Sequence, residues 1–428
     1  MSIMELAKGG HEIPIFRSIA QTEHIDTQLL MERVANGQIV IPYNVQHQPQ
    51  MAHGFGLGLS TKVSASVGLA SDGDSLAEEL AKVSEAVRAG THAVMDLSTG
   101  GNMDAARQAI LQSVSLPVGT LPVYQAFAEA VRTKGSALAL DPEDFFRIME
   151  RQAADGVDFM GLHCALHSGL LETARQDRRV LNLVSRGGAL LMGWMLYHGK
   201  ENFLYTGFER ILEIARKYEV TLSLADSMRP GAGADSLCRS QVEELVILGE
   251  LVQRSREAGV QIMVKGPGHV PPQQISATIQ LEKQMCQGAP YFVFGPVSTD
   301  VAPGYDEITA AIGGAMAGAA GADLICYVTP AEHLGLPNAE DVYRGVMAAR
   351  IAAHVADLAK GYPFSDAWDL QMSQARREQN LELQRSLALD THKLSDMRKS
   401  QEAFCQKCRN GCAMTIAGEY FGERPWEC

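Results

Sequence analysis

Gln261-Ile262-Met263-Val264-Lys265-Gly266-Pro267-Gly268-His269 is the stretch on which the reading of the fold turns. A short apolar run stops at a Gly/Pro turn that carries a lysine and a histidine, and an amphipathic stretch at 241–258 precedes it. Three apolar residues ahead of a turn suit a buried strand, and a helical period before it suits a crossover helix. The same unit recurs along the sequence. Apolar runs stand at 62–68, 93–98, 118–124, 159–164, 182–185, 221–225, 261–264, 291–294 and 324–328, with amphipathic stretches at 75–89, 141–155, 208–218, 241–258 and 307–318. Strand and helix alternating in this way mean a parallel sheet covered by helices. Eight or nine units fit a (β/α)8 barrel better than an open doubly wound sheet, and no GxGxxG stands at a strand–helix junction. The expected organisation is an N-terminal segment (1–55, polar and irregular, with a short helical pattern around 27–36), a catalytic barrel (56–338) and a helical C-terminal unit (339–428) with long helices over 339–360 and 366–402.

Composition narrows the function. The 428 residues carry a net charge of -13 and no Lys/Arg-rich block, which argues against a nucleic-acid partner. No apolar run reaches membrane-spanning length, so no membrane partner is expected. The N-terminus lacks the basic start and apolar core of a signal peptide, and a cytoplasmic location is the expectation. Eight cysteines in a long chain of that kind are not a disulfide framework. Cys164, Cys238, Cys286 and Cys326 are scattered and read as buried, inert thiols.

Polar residues cluster where the apolar runs end: Asp96 to Gly100, His163, Ser185-Arg186-Gly187-Gly188, Asp226 to Pro230, and Lys265 to His269. A barrel gathers such residues into one pocket at the C-terminal ends of its strands. His269 and His333, each in a Gly/Pro-rich turn, suit a divalent metal such as zinc, or simply cap their turns. Arg186 and Arg229, beside Gly and Pro, suit an oxyanion such as phosphate, or pair at the surface. Asp226 and Asp96 suit a general base or a helix cap. Near the C-terminus Cys405, Cys408 and Cys412 follow C-x2-C-x3-C. Three thiolates leave one iron of a 4Fe-4S cluster open, and they equally make a zinc knuckle with Cys428 as fourth ligand.

Taken together, the strings MDLSTG (95–100), LPVYQA (121–126), VSRGG (184–188), ENFLY (201–205), RPG (229–231), KGPGHVP (265–271), DVAPGYDEIT (300–309), CYVTPAEHLGLPN (326–338) and AAHVADLAKG (352–361) resemble the phosphomethylpyrimidine synthase family of atypical radical S-adenosylmethionine enzymes. The resemblance runs from residue 39 onward. It implies a (β/α)8 barrel, a C-terminal tail holding a 4Fe-4S cluster on Cys405, Cys408 and Cys412, and a homodimer in which each tail reaches the partner's barrel. It further implies S-adenosylmethionine on the open iron, an electron donor for the cluster, and 5-aminoimidazole ribotide as substrate. Carried over by motif, the substrate pocket comprises Met95, Tyr124, His163, Ser185, Arg186, Gly187, Asp226 and Arg229, with His269 and His333 on a divalent metal.

The departures from that family point to a reaction. The pyrimidine synthases have Asn where this chain has Ser66, Glu where it has Lys265, Tyr where it has Phe292, and a cysteine spacing one residue longer. Reversing a charge beside a reacting intermediate does not suit the same transition state. It suits the same substrate sent down another path, as in the related 5-hydroxybenzimidazole synthases of anaerobic cobamide lower-ligand synthesis. Lys265, Asp226 and His163 are the expected catalytic groups, with Ser66 and Phe292 added to the pocket. A pyrimidine synthase is the alternative. A non-catalytic metal- or nucleotide-binding regulator is the alternative of another class, and the intact cysteine triplet speaks against it.

Overall fold

The computed structural model describes residues 1–397 and 413–421. Strands β1 (Ile39–Val40) and β2 (Phe55–Gly56) form a short antiparallel pair. Eight further strands, β3 (Lys62–Val67), β4 (Ala93–Asp96), β5 (Val118–Thr120), β6 (Phe159–Leu162), β7 (Thr221–Ala225), β8 (Ile262–Lys265), β9 (Tyr291–Phe294) and β10 (Leu324–Cys326), close into a parallel barrel in chain order, β10 pairing back onto β3. The expected (β/α)8 architecture is present. One apolar run was misassigned: residues 182–185 form no strand but lead into the helix Arg186–His198, where Ser185 is the N-cap. Elsewhere capping fixes where the covering helices start. Ser75 accepts the amide of Glu78 ahead of Leu76–Arg88, and Asp141 accepts that of Glu143 ahead of Pro142–Asp155, with proline in the first turn.

Register decides which side chains enter the lumen, because residues paired across a ladder share a face. Lys265 pairs with Ala225 and Phe292, Leu324 with Phe292 and Lys62, and Cys326 with Ser64 and Phe294. Ser66 pairs with Met95. These residues form the inward set. The alternate residues Val67, Val94 and Val118 face outward and pack with Val83, Ile110 and Leu111 of the covering helices.

The N-terminal segment is more regular than expected, and the helical pattern read around 27–36 is present as Thr27–Ala35. It forms three helices, Ile3–Lys8, Pro14–Thr22 and Thr27–Ala35, around a cluster that includes Phe16, Ile19, Leu30 and Val34. The segment is fastened to the N-terminal end of the barrel. Gln261, just before β8, bonds the amide (2.7 Å) and the carbonyl (2.9 Å) of Ile41. Asp158, just before β6, accepts the amides of Asn44 and Val118 and the Nδ1–H of His47, each at 2.8 Å. That end is thereby sealed by protein, and the opposite rim carries the candidate residues.

The chain divides into two compact units, Met1–Ala356 and Asp357–Cys428. The helix Ala339–Ala359 falls largely in the first. The second contains Pro363–Arg377, Leu381–Leu387, Thr391–Met397 and Ala413–Tyr420, so the long helix expected over 339–360 is present while several shorter helices stand where one over 366–402 was expected. Asn380, which caps Leu381–Leu387, marks one of the breaks. Cys405, Cys408, Cys412 and Cys428 lie outside the described residues.

Because Asp158 is fully buried and holds three donors, Asp158→Ala is expected to destabilise the protein by about 3–5 kcal/mol. Calorimetry near neutral pH, with circular dichroism to confirm that the barrel still forms, checks it.

Candidate active site

The upper lumen is built around a lysine. Lys265, the last residue of β8, is buried, and its Nζ lies 3.4 Å from the Met95 sulfur and 4.4 Å from the centre of the Phe292 ring. Burial lowers its pKa, and so does the charge of Arg229, while Cys326 and Asp226 pull the other way. Ser66 stands across the lumen with its hydroxyl 3.8 Å from the Cys326 sulfur. Four residues expected to line the pocket, Ser66, Met95, Lys265 and Phe292, are thus neighbours inside the barrel.

The loops after β6 and β7 add a second group. His163 is buried, and its Nε2 meets the Ser185 hydroxyl at 2.7 Å, while its Nδ1 is buried without a protein partner. Burial, with Arg229 and Lys265 nearby, pushes its pKa down to about 3, so the ring is neutral. Gly187 is required beside it: a Cβ there would lie 2.3 Å from the imidazole. Asp226 follows β7. Burial pushes its carboxyl up to about 7 against the pull of Arg229, Lys265 and Arg179, and its Oδ1 is buried without a protein partner. It packs on Gly266, where the backbone has φ +152° and a Cβ would fall 2.1 Å from Oδ2. Arg186 begins its helix and lies 5.6 Å from the centre of the Tyr124 ring, and Arg229 lies 5.2 Å from that of Phe294. Burial raises the Tyr124 phenol above its usual range, against Arg229 and Arg186. Asp96 serves its own turn, accepting the amide (2.9 Å) and hydroxyl (2.5 Å) of Ser98.

His269 and His333 come together with ring centres 5.1 Å apart. Each places Nδ1 on a carboxylate, His269 on Asp300 at 2.7 Å and His333 on Asp306 at 2.8 Å. An ionised carboxylate only accepts, so the proton sits on Nδ1 and Nε2 keeps its lone pair. Burial disfavours the Asp300 anion, but hydrogen bonds from His269 and Gly233 outweigh it and hold its pKa below the usual value. Two imidazoles oriented by carboxylates are a donor set suited to a divalent metal. Among the described residues no group of three or more His, Cys, Asp or Glu side chains is arranged to hold a metal ion.

A cavity of about 210 Å3 opens over the lumen, lined by Ser66, Arg186, Phe294, Cys326, Tyr327 and Glu332 among others. A larger groove of about 720 Å3 lies on the barrel flank along the helices Ser168–Gln176 and Arg186–His198, and touches none of the expected site residues. Cys326 was passed over as an inert thiol. Its place in the same alternate row as Leu324 was the available signal.

A family model described as the Radical SAM ThiC family matches residues 2–419. The chain belongs to the Radical SAM ThiC family. Its curated relatives carry two different names. It is 48% identical to a phosphomethylpyrimidine synthase of Desulforamulus reducens over 432 residues, covering 100% of both chains. It is 50% identical to the 5-hydroxybenzimidazole synthase BzaA of Moorella thermoacetica over 432 residues, again covering 100% of both. It is also 50% identical to BzaB of that organism over 420 residues, 97% of this chain and 98% of the other. Membership of the Radical SAM ThiC family makes S-adenosylmethionine and an iron–sulfur cluster part of the working enzyme. Three thiolates, one per iron with one iron left open, suit that cluster.

Gly187→Ala is expected to displace the His163 ring and break its bond to Ser185, with little loss of thermal stability. A changed NMR environment of the His163 ring, with calorimetry for stability, checks it.

Proposed function

We propose that this enzyme rearranges 5-aminoimidazole ribotide to 5-hydroxybenzimidazole, a step toward a cobamide lower ligand. The observation that carries the reading is Lys265: a buried ammonium in the upper lumen, with no ion pair among the described residues, at the position where the pyrimidine synthases resembled by this sequence have a glutamate. On this reading Cys405, Cys408 and Cys412 hold a 4Fe-4S cluster. With S-adenosylmethionine that cluster supplies the 5′-deoxyadenosyl radical that opens the reaction.

The remaining work belongs to the protein. Arg186 and Arg229 bind the phosphate and polar substituents of the ribotide, and Tyr124 with Met95 flanks it. Neutral His163, aligned by Ser185 and given room by Gly187, hydrogen-bonds the substrate without delivering charge. Asp226, its pKa pushed up to about 7 by burial, exchanges a proton at Oδ1, which is buried and has no protein partner. Lys265, its pKa lowered by burial, favours anionic intermediates and returns protons to them. Ser66 and Phe292 shape the adjoining walls. His269 and His333 hold one divalent ion, zinc suiting the imidazole donors. The assembly proposed is a cytoplasmic homodimer in which each tail serves the partner's barrel, with an external electron donor for the cluster. The domain plan remains 1–55, 56–338 and 339–428.

A second reading, a phosphomethylpyrimidine synthase serving thiamine synthesis, is favoured by one observation: relatives with that name match over the full length at nearly the same identity. The two readings share a substrate and differ in product.

Incubation with 5-aminoimidazole ribotide, S-adenosylmethionine and a reductant, followed by mass analysis, is expected to give 5-hydroxybenzimidazole. Lys265→Glu should lose that product by about tenfold or more while still forming 5′-deoxyadenosine. If the unmutated enzyme makes only hydroxymethylpyrimidine phosphate, the second reading stands. Joint replacement His269→Ala, His333→Ala is expected to remove the divalent metal and leave the cluster iron in place, and elemental analysis reads both.

A further inference from the structure

The loop Asp226-Ser227-Met228-Arg229 carries two candidate substrate ligands, and it leaves β7 without regular structure of its own. Its backbone is held from outside. Glu244, in the helix Arg239–Glu257, is 1% exposed, and its carboxyl accepts the amide of Ser227 on Oε1 and that of Met228 on Oε2, both at 2.7 Å. Arg179 completes the hold from a different segment. Its Nη2 donates to the Arg229 carbonyl at 2.8 Å, and its Nη1 lies 3.7 Å from the Met228 sulfur.

Two consecutive amides captured by the two oxygens of one rigid carboxyl leave the intervening peptide little freedom to turn. The residues flanking those amides are Asp226 and Arg229. A buried glutamate is costly unless its oxygens are satisfied, so its presence in the packed side of a helix calls for a compensating role. Burial raises its pKa, to about 8, with Asp226 adding to the effect and the two amides opposing it. Both oxygens accept fully in the ionised form, which the two amides at 2.7 Å favour, and the hydroxyl oxygen of the protonated form accepts more weakly.

We propose that Glu244 is a positioning residue of this enzyme: by fixing the peptides after Asp226 it aims the Asp226 carboxyl at the substrate. This rests on the reading that Asp226 binds the ribotide. Nothing else about Glu244 suggests contact with substrate, because its carboxyl is spent on the loop amides.

Glu244→Gln tests it, since a carboxamide keeps the shape but has one accepting oxygen for two donors. In the reconstituted full-length enzyme this variant is expected to raise the KM for 5-aminoimidazole ribotide about tenfold, with kcat falling no further than in Asp226→Asn and iron content unchanged. Hydrogen exchange should quicken at Ser227 and Met228 and stay as before elsewhere. The decisive comparison adds Asp226→Asn. If Glu244 acts through Asp226, the double variant has the KM of Asp226→Asn alone. A KM in which the two effects multiply overturns the proposal, as does a normal KM in Glu244→Gln when Asp226→Asn is impaired. If neither variant changes KM, the reading of Asp226 as a substrate ligand fails and the positioning role falls with it. Should Glu244→Gln not fold, exchange in the unmutated enzyme decides: protected amides at Ser227 and Met228 support the hold, and exchange as fast as in the exposed loops overturns it.

Discussion

Desolvation in the upper barrel governs the chemistry available to this protein. A closed parallel barrel must fill its lumen, and the usual filling is branched and apolar. Here one of the inward positions is Lys265, whose surroundings are a thioether, an aromatic face and a thiol rather than a carboxylate partner. A polarisable sulfur and a ring quadrupole soften the cost of burying an ammonium without cancelling it, so the pKa falls. The same loss of water lifts the Asp226 carboxyl toward 7 and drives the His163 ring to about 3. One cause therefore sets three protonation behaviours: an acid and a base brought toward neutrality, and an imidazole kept uncharged beside them.

Position is secured by partners behind the site. Ser185 both caps a helix and meets His163, so helix start and imidazole are fixed together. Asp300 and Asp306 orient His269 and His333. Gln261 and Asp158 bind the N-terminal segment over the far end of the barrel. With that end sealed, small molecules reach the lumen from the rim where the candidate residues stand, which is where strand polarity concentrates loops in this architecture.

How much of this was legible follows from which signals are local. The eight strands were readable because each is a short apolar run closed by Gly, Pro or a polar residue, and Ser66, Met95, Lys265 and Phe292 were readable as pocket residues through the family likeness. The run at 182–185 misled because two apolar residues, Leu183 and Val184, ahead of an N-cap look the same as a strand end. The helices Ile3–Lys8 and Pro14–Thr22 were missed since their apolar residues, such as Phe16 and Ile19, are spread among polar ones and find each other only in three dimensions. Asp300, Asp306, Arg179 and Cys326 act on groups far away in sequence, and no spacing announces such pairs. The site residues on the described rim do converge, whereas the cysteine triplet lies outside the described residues.

Overall likeness does not choose between the two reactions, because relatives bearing either name share about half the sequence. The choice has to rest on a local difference, and charge is the strongest one available. Two unit charges about 4 Å apart interact by roughly 4 kcal/mol at the effective dielectric suited to protein sites. Exchanging a carboxylate for an ammonium at one point of the lumen changes the sign of that interaction for every charged intermediate nearby. A shift of about 1.4 kcal/mol already redirects a branching reaction tenfold. On the proposed reading the neutral differences at Ser66 and Phe292 alter shape and hydrogen bonding by smaller amounts and refine an outcome that Lys265 decides.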